Sequence, residues 1–570
     1  MSKIETEILK IETILAKYDS ISVVNNMAFW LTRITERRSN PFFNGLKSPY
    51  KQLHYVASLA LKNKTTGLGQ ISDDDWTNIS SSLQEIEILY NNSFSQKNKE
   101  LDTEHLKKVG VSSATFLTYF FNGTFAFKEQ LIERIERTFK KYDSLIVEET
   151  GLSVQEFIDF VELVNDECNI KLNLPLEIQN SGDWIKFTEK MESLNVHPEE
   201  WKMHFNESFN VAFETLTQPS SILYCDVDNL HVTCDIEKLR TFLNGLSVPE
   251  LNPSKTIYYG EILPLESNPF VKVSESKYLI FYHNEILSAI YKKLVDICSG
   301  KIGSKFYKHR DNKTEEKVVE IFELLFNKKK SKIFVNYSID QHCEQDILIV
   351  FDSTALIVEV KASTFREPMR DPQKAFEKIK SDFKKNIQEA YNQCLRVEDA
   401  FEMESFVSVY DDKNQMLEKI STLSVENTYS IIVTLDRFGV IQSDLSWLLQ
   451  IDKDLPFPWS VNIDDLETFF LMLKKQKRPQ KKLVEFLKHR ELLHERLYAM
   501  DEIDVCCWYL RNPKDFREGC NQHEAFIFAN PQESDLVDKA YFSKGGLGFQ
   551  NERNLYLKNN GNTLFLGMPE

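Results

Sequence analysis

The chain has 570 residues, 42% of them hydrophobic and 12% aromatic, which supplies more than one packed core and excludes wholesale disorder. Its net charge of −17 excludes a protein that coats nucleic acid by charge alone. No run of about 18 uncharged apolar residues occurs, so no membrane partner is expected. The first residues, MSKIETEILKIETILAKYD, alternate charged and apolar side chains and show no signal peptide. Nine cysteines without a C-x-x-C pair suit reduced thiols in a cytoplasm, and adjacent Cys506 and Cys507 read as small buried hydrophobes.

Residues 1 to 265 read as mainly helical. Segments such as 153–167 and 235–246 repeat apolar residues at three- and four-residue spacing, broken by Ser, Asp, Asn and Gly. Nothing there has the spacing of metal ligands, a phosphate loop or a nucleophile triad. Residues 151–250 hold 6 Lys+Arg against 18 Asp+Glu, a net of −12, and these acids read as solvated surface. The region is expected to serve regulation, a protein partner or self-association. Four prolines between 247 and 270 then interrupt the helical pattern.

A β pair follows at 270–273 and 277–282, then helices over 285–298 and 314–326, a strand at 332–339, and two strongly apolar strands within 346–361. A long amphipathic helix over 372–402 leads to a strand at 429–435. Helix, three strands, helix, strand implies an α/β domain over 266–445, a mixed sheet flanked by helices. Residues 446–570 form a helical C-terminal extension, periodic at 464–476 and 481–500, with a Gly- and Asn-rich tail that reads as loop.

Asp346 to Lys361, DILIVFDSTALIVEVK, is the most informative stretch. Strands that bury Ile, Leu, Val and Phe on both faces have little reason to carry ionised groups. Each such group costs several kcal/mol to bury unless paired or metal-bound. A period of two places Ala355, Ile357, Glu359 and Lys361 on one face. A two-residue loop at 353–354 pairs Asp346 with Lys361, whereas a four-residue loop sets it more directly against Glu359. In both registers Asp346 shares the face of Glu359 and Lys361. Two carboxylates so close repel unless a divalent cation lies between them. Mg²⁺, or Mn²⁺ in its place, takes oxygen ligands, polarises a phosphate and lowers the pKa of a bound water. A lysine beside it orients that water and balances charge on the phosphorus oxygens. A lone Glu-x-Lys reads more simply as a salt bridge at a sheet edge; the parity of Asp346 and the apolar remainder of both strands favour the metal site.

Other residues join by position. On 314–326 the buried arc is Val318, Val319, Phe322, Leu325 and Phe326, with Glu315 inside it, Glu316 at its edge and Glu320 outside. Glu315 is a further acid for the metal, with Glu316 as substitute, unless it is a first-turn acid complementing the helix dipole. Gln393 lies at the margin of an apolar stripe running from Phe376 to Cys394, where it either reaches the same sheet edge or serves packing. Arg366, Arg370, Lys374, Lys378 and Lys385 are phosphate contacts or solvated charge. Residues 301–400 hold 19 Lys+Arg against 17 Asp+Glu, a net of +2, so a polyanion is expected here and not on the helical half. Lys328 to Lys330 end a helix, where the dipole favours cations.

With those residues in view, the chain resembles the PD-(D/E)XK phosphodiesterase superfamily, the restriction-endonuclease-like fold. The matching stretches are E-x-x-V-x-x-x-F from Glu315, CEQDILIV around Asp346, LIVEVKA through Lys361, and NIQEAYNQCLR with Gln393 and Arg396. The nuclease-related and type IV restriction-like branches are the most similar, and the resemblance is limited to residues 310–440. Gln345 stands where the name-giving proline would be, and Thr314 where a glycine is common in the nuclease-related branch. The resemblance implies an α-β-β-β-α-β core and a Mg²⁺-dependent nuclease. It implies catalytic Asp346, Glu359, Lys361 and Gln393, and metal ligands Glu315, Asp346 and Glu359. DNA is the expected substrate, and defence against foreign DNA the setting by analogy. The competing expectations are a non-catalytic nucleic-acid- or protein-binding scaffold that keeps the fold, and a nuclease acting on RNA.

Overall fold

The computed structural model describes residues 2–34, 39–94, 107–113, 126–327, 329–339, 344–363, 372–522, 525–550 and 552. Two units divide the chain, one of residues 1–93, 120–302 and 559–570, the other of 94–119 and 303–558.

The first unit is mainly helical, as its periodicity predicts, and its helices start where the sequence says they should. Ser2 and Ser153 each accept from the N–H three residues on, and Glu5 and Glu156 return the bond to the cap's own N–H, forming capping boxes. Three short strands, β1 (Tyr224–Asp226), β2 (Phe270–Lys272) and β3 (Lys277–Ile280), form a sheet in the order β1-β3-β2. The β2–β3 hairpin and the helix Ile286–Ile302 therefore belong to this unit, and the boundary lies at 302/303 instead of near 265. The cause is the pairing of β3 with β1, a distant strand that no local pattern announces.

A seven-stranded mixed sheet organises the second unit. Its strands are β4 (Ser331–Ser338), β5 (Glu344–Phe351), β6 (Thr354–Lys361), β7 (Phe406–Tyr410), β8 (Met416–Ser421), β9 (Asn427–Thr434) and β10 (Trp459–Asn462), in the order β10-β9-β6-β5-β4-β7-β8. β6, β9 and β10 run parallel, and the other pairings are antiparallel. Helix α1 (Ser304–Glu323) precedes the sheet. After β6 come α2 (Pro372–Phe383), a π turn (Lys384–Gln388) and α3 (Glu389–Met403). Helices α4 (Ile463–Lys474), α5 (Pro479–Arg490) and α6 (Glu502–Arg511) follow β10.

Alternation along the strands feeds two cores. Ile347, Ile349, Leu356, Val358 and Val360 pack with Val318, Ile321 and Phe322 of α1 and with apolar residues of α4, α5 and α6. Leu348, Ala355 and Ile357 pack on the opposite face with Cys394 and Val397 of α3. Each of these side chains contributes roughly 1.5–3 kcal/mol of hydrophobic stabilisation. Cys506 and Cys507 are buried, as expected.

Several boundaries differ from the sequence reading. Residues 446–558 are not a separate extension, because β10 and α4 to α6 complete the first of these cores. β10 has four residues, all buried, and so shows no alternation. The β7–β8 hairpin was also unexpected, and the predicted terminal loop contains a helix, Asp535–Tyr541. Helix α1 starts at Ser304 and not at 314, because its buried stripe continues upstream through Phe306, Arg310 and Thr314, where two polar members hide the periodicity. No described helix is long and apolar enough to cross a membrane.

Candidate active site

The β5–β6 hairpin turns at Asp352 and Ser353, with Phe351 paired to Thr354 and the ladder running to Ile347 against Val358. Asp352 takes a positive φ of 45°, a conformation that aspartate tolerates better than most residues. This register sets Asp346 against Glu359. It has the expected parity and the opposition that the longer loop allowed, but the turn holds only two residues, Asp352 and Ser353, one residue earlier than the two-residue loop at 353–354. Past Ile347 the strands exchange side-chain bonds in place of backbone ones. The Val360 N–H donates to Asp346 Oδ2 at 2.6 Å, and the Asp346 N–H donates to Glu359 Oε1 at 3.3 Å. Lys361 Nζ donates to Glu359 Oε2 at 2.9 Å and lies 3.8 Å from Asp346 Oδ2. The strand ends thus bring Asp346, Glu359 and Lys361 into one network.

Burial and like charge set its electrostatics. Glu359 is 0% exposed, and burial first, then the Asp346 carboxylate, push its pKa up to about 8. Burial pulls the Lys361 ammonium the other way, but Glu359 and Asp346 outweigh it and hold the pKa above its ordinary value.

Glu315 is half-buried in the middle of α1, not in its first turn, so a role in complementing the helix dipole falls away. Burial and then Asp346 raise its pKa to about 7, with Lys361 opposing, which couples it to the strand network. Arg310 fixes this placement. One turn upstream on α1, its Nη2 donates to the carbonyl of Ala362, the residue after Lys361, at 2.6 Å. Thr314 Oγ1 closes back onto the Arg310 carbonyl at 2.9 Å. Glu316 is exposed and pairs with Lys313 at 2.6 Å, so it is not the substitute acid. Gln393 is half-buried on α3 beside Cys394, whose thiol lies 3.9 Å from the Ile357 carbonyl on the face that Glu359 shares. Lys374 and Lys385 are exposed and Lys378 is half-buried, while Arg366, Arg370 and Lys328 lie outside the described residues.

No protein-family model, curated protein or solved structure matches the chain.

One residue beside the site went unread in the sequence. Asn336 on β4 takes a φ of 49° and breaks the alternation there. Tyr337, paired with Gln345, consequently packs with Leu348, Ile357 and Cys394. It is 0% exposed, and its hydroxyl is buried without a hydrogen-bond partner. Burial raises its pKa well above the usual value, with Glu359, Cys394 and Asp346 adding to the effect. An Asn inside an apolar strand was the available signal, since Asn visits the left-handed region more readily than most residues.

Among the described residues no three His, Cys, Asp or Glu side chains stand arranged to hold a metal ion. The chemistry of the donor set fits one nonetheless. Glu359 and Glu315 carry raised pKa values because burial strips their solvent and, secondarily, the Asp346 carboxylate repels their charged forms, and a divalent cation would relieve both penalties. Mg²⁺ keeps several waters and needs only one or two carboxylates from the protein.

Proposed function

We propose that the second unit is a metal-dependent nuclease of restriction-endonuclease-like fold that hydrolyses phosphodiester bonds in DNA. The observation that carries this reading is the opposition of Asp346 and Glu359 at the ends of two antiparallel strands, with Lys361 bonded between them. The order α1, β4, β5, β6, α2–α3, β9, with β9 parallel to β6, supports it. Asp346 and Glu359, with Glu315 from α1, would hold Mg²⁺, which supplies phosphate polarisation and a water of lowered pKa when bound.

The protein's own groups have defined parts. Lys361 Nζ keeps its protons at neutral pH, since the ordinary lysine pKa already lies far above 7 and the surrounding acids outweigh burial and raise it further, so it donates hydrogen bonds and positive charge and is not a general base. Glu359 is protonated at neutral pH while its pKa stands at about 8, and it must release that proton before acting as a ligand. Arg310 and Thr314 keep α1, and with it Glu315, in place over the end of β6. Gln393 is a candidate substrate or water contact on the helix covering this face, and a role against foreign DNA rests on the resemblance.

The deciding experiment incubates the full chain with plasmid, linear duplex, single-stranded DNA and RNA in Mg²⁺, Mn²⁺ or EDTA. Metal-dependent DNA cleavage that Glu359→Ala abolishes is the expected result. Nucleic-acid binding without cleavage under every condition would instead favour the scaffold reading, and cleavage confined to RNA would overturn the substrate.

A further inference from the structure

A cavity of about 1310 Å³ opens in the first unit, walled by the helices Ser20–Thr32 and Asp73–Phe94 and by the short turns Pro41–Phe43 and Pro219–Leu223. It is larger than the roughly 300–1,000 Å³ of a drug-sized site. Half of the residues lining it are uncharged and polar, and many of these are primary amides, each offering a donor and an acceptor.

Two observations point to what such a cavity takes. Trp30, Phe42 and Trp76 form a flat stack, with ring centroids 4.2 Å and 4.3 Å apart and planes within 13° and 8° of parallel. Trp76 donates its Nε1 proton to the Phe42 carbonyl at 2.9 Å, which locks the ring's orientation. Its second face has no stacked ring among the described residues. Elsewhere in the wall of the same cavity, Asn25 Nδ2 donates to Ser220 Oγ at 3.0 Å, while Asn25 Oδ1 is buried with no partner among the described residues. Leaving a buried acceptor unbonded is costly, so a donor in the cavity is favoured.

Charge narrows the class. Among the described residues Lys277 is the single basic one in the wall, and its Nζ lies 4.4 Å over the Tyr224 ring. With Asp73 and Glu214, the described residues of the wall carry more negative than positive charge, which disfavours a polyanion. A sugar diol, in contrast, donates readily to a carboxylate. We infer that this cavity binds a nucleoside: a flat heteroaromatic base stacked on Trp76 and bonded by the Asn25 amide, carrying an uncharged sugar.

Side-chain amides that read a base edge, joined to a π face on which the base stacks, are a recurring way for proteins to hold a base. The site lies wholly within the first unit and does not depend on the nuclease reading. Gly45 in the cavity wall takes a φ of 85°, a conformation that L side chains rarely adopt, so a larger residue there would strain the wall.

Tryptophan fluorescence tests it directly, because the stacking ring is itself the reporter. The full chain is titrated with adenosine, guanosine, cytidine and uridine, with AMP and ATP, and with maltotriose, and binding is confirmed by calorimetry. At least one nucleoside should quench saturably, and its triphosphate should bind about tenfold more weakly or worse. Asn25→Ala and Trp76→Phe should each weaken the nucleoside about tenfold at unchanged melting temperature. If one variant is unstable, the other and the charge series still decide. Absence of binding by every nucleoside at about 1 mM, binding of maltotriose alone, or tightest binding by ATP would each overturn the inference.

Discussion

Two buried ionic clusters in the second unit differ in how completely they close. Arg490 grips Glu502 with parallel bonds of 2.8 Å, Nε to Oε1 and Nη2 to Oε2, and Trp459 Nε1 adds another to Oε1 at 2.8 Å. These two side chains are 1% and 2% exposed. At Glu359 the balance among the described residues runs the other way, with Asp346, Glu359 and Glu315 all interacting with the ammonium of Lys361. Lys361 and Asp346 also keep 21% and 17% of their side-chain surface open. A guanidinium fork that saturates a carboxylate makes a brace. The cluster around Glu359 is buried less completely and keeps one side open, and under the proposal above that opening would admit the cation.

The comparison breaks first on activity. Asp346→Ala, Glu359→Ala and Lys361→Ala should each lower metal-dependent cleavage on the order of a thousandfold with the circular dichroism unchanged. Mg²⁺ should stop raising the melting temperature of the two acid variants but should still raise that of Lys361→Ala. If all three variants cut like the parent, the nuclease proposal is wrong.

The clamp should answer in the opposite way. Glu502→Ala leaves the Arg490 charge buried and unpaired, at a cost of about 3–5 kcal/mol in urea unfolding. A loss well under 1 kcal/mol would show that the two clusters do not differ in kind.

Metal-free stability against pH sharpens the contrast. The folded pKa of Glu359 is raised from 4.5 to about 8, so the folded chain holds a proton that the unfolded chain has released. Its contribution is most favourable below about pH 4.5 and is lost progressively as pH rises to about 8. Glu285 and Asp504, also raised to about 8, add to the same slope, so the measurement is the difference between parent and Glu359→Gln in EDTA. The variant should melt higher at pH 8 and show a shallower fall between pH 5 and 8. Equal slopes would mean that Glu359 is better compensated than its surroundings indicate.

Tyr337→Phe carries the smallest expected effect. Removing a buried hydroxyl that has no partner should leave metal-free stability unchanged or raise it by about 1 kcal/mol. A drop of more than about 1 kcal/mol would show that the hydroxyl is bonded in solution.

The parity of Asp346, Glu359 and Lys361 was legible because a strand's period of two is strictly local. Their exact opposition was not, since the turn position depends on which residue accepts a positive φ, here Asp352. Glu315 was legible from its place on the buried arc. The substitute role of Glu316 was not excluded until the structure turned it outward toward Lys313. Arg310 was missed because a charged residue within an apolar stripe reads as an interruption, whereas its guanidinium is satisfied by the Ala362 carbonyl, far along the chain.

Local spacing by itself determined the helical character of the first unit, the helix–strand order around residues 314–435 and the shared face of the acid–acid–lysine set. Those features depend on contacts within a few residues, where periodicity and caps act. Tertiary structure alone decided that β3 joins β1, that β10 and its following helices complete the second unit, and that Tyr337 packs with Leu348 and Ile357. It also decided which carboxylates lose their solvent and so acquire raised pKa values. Each of these depends on partners distant in sequence, and burial is a property of the assembled surface that no single segment carries.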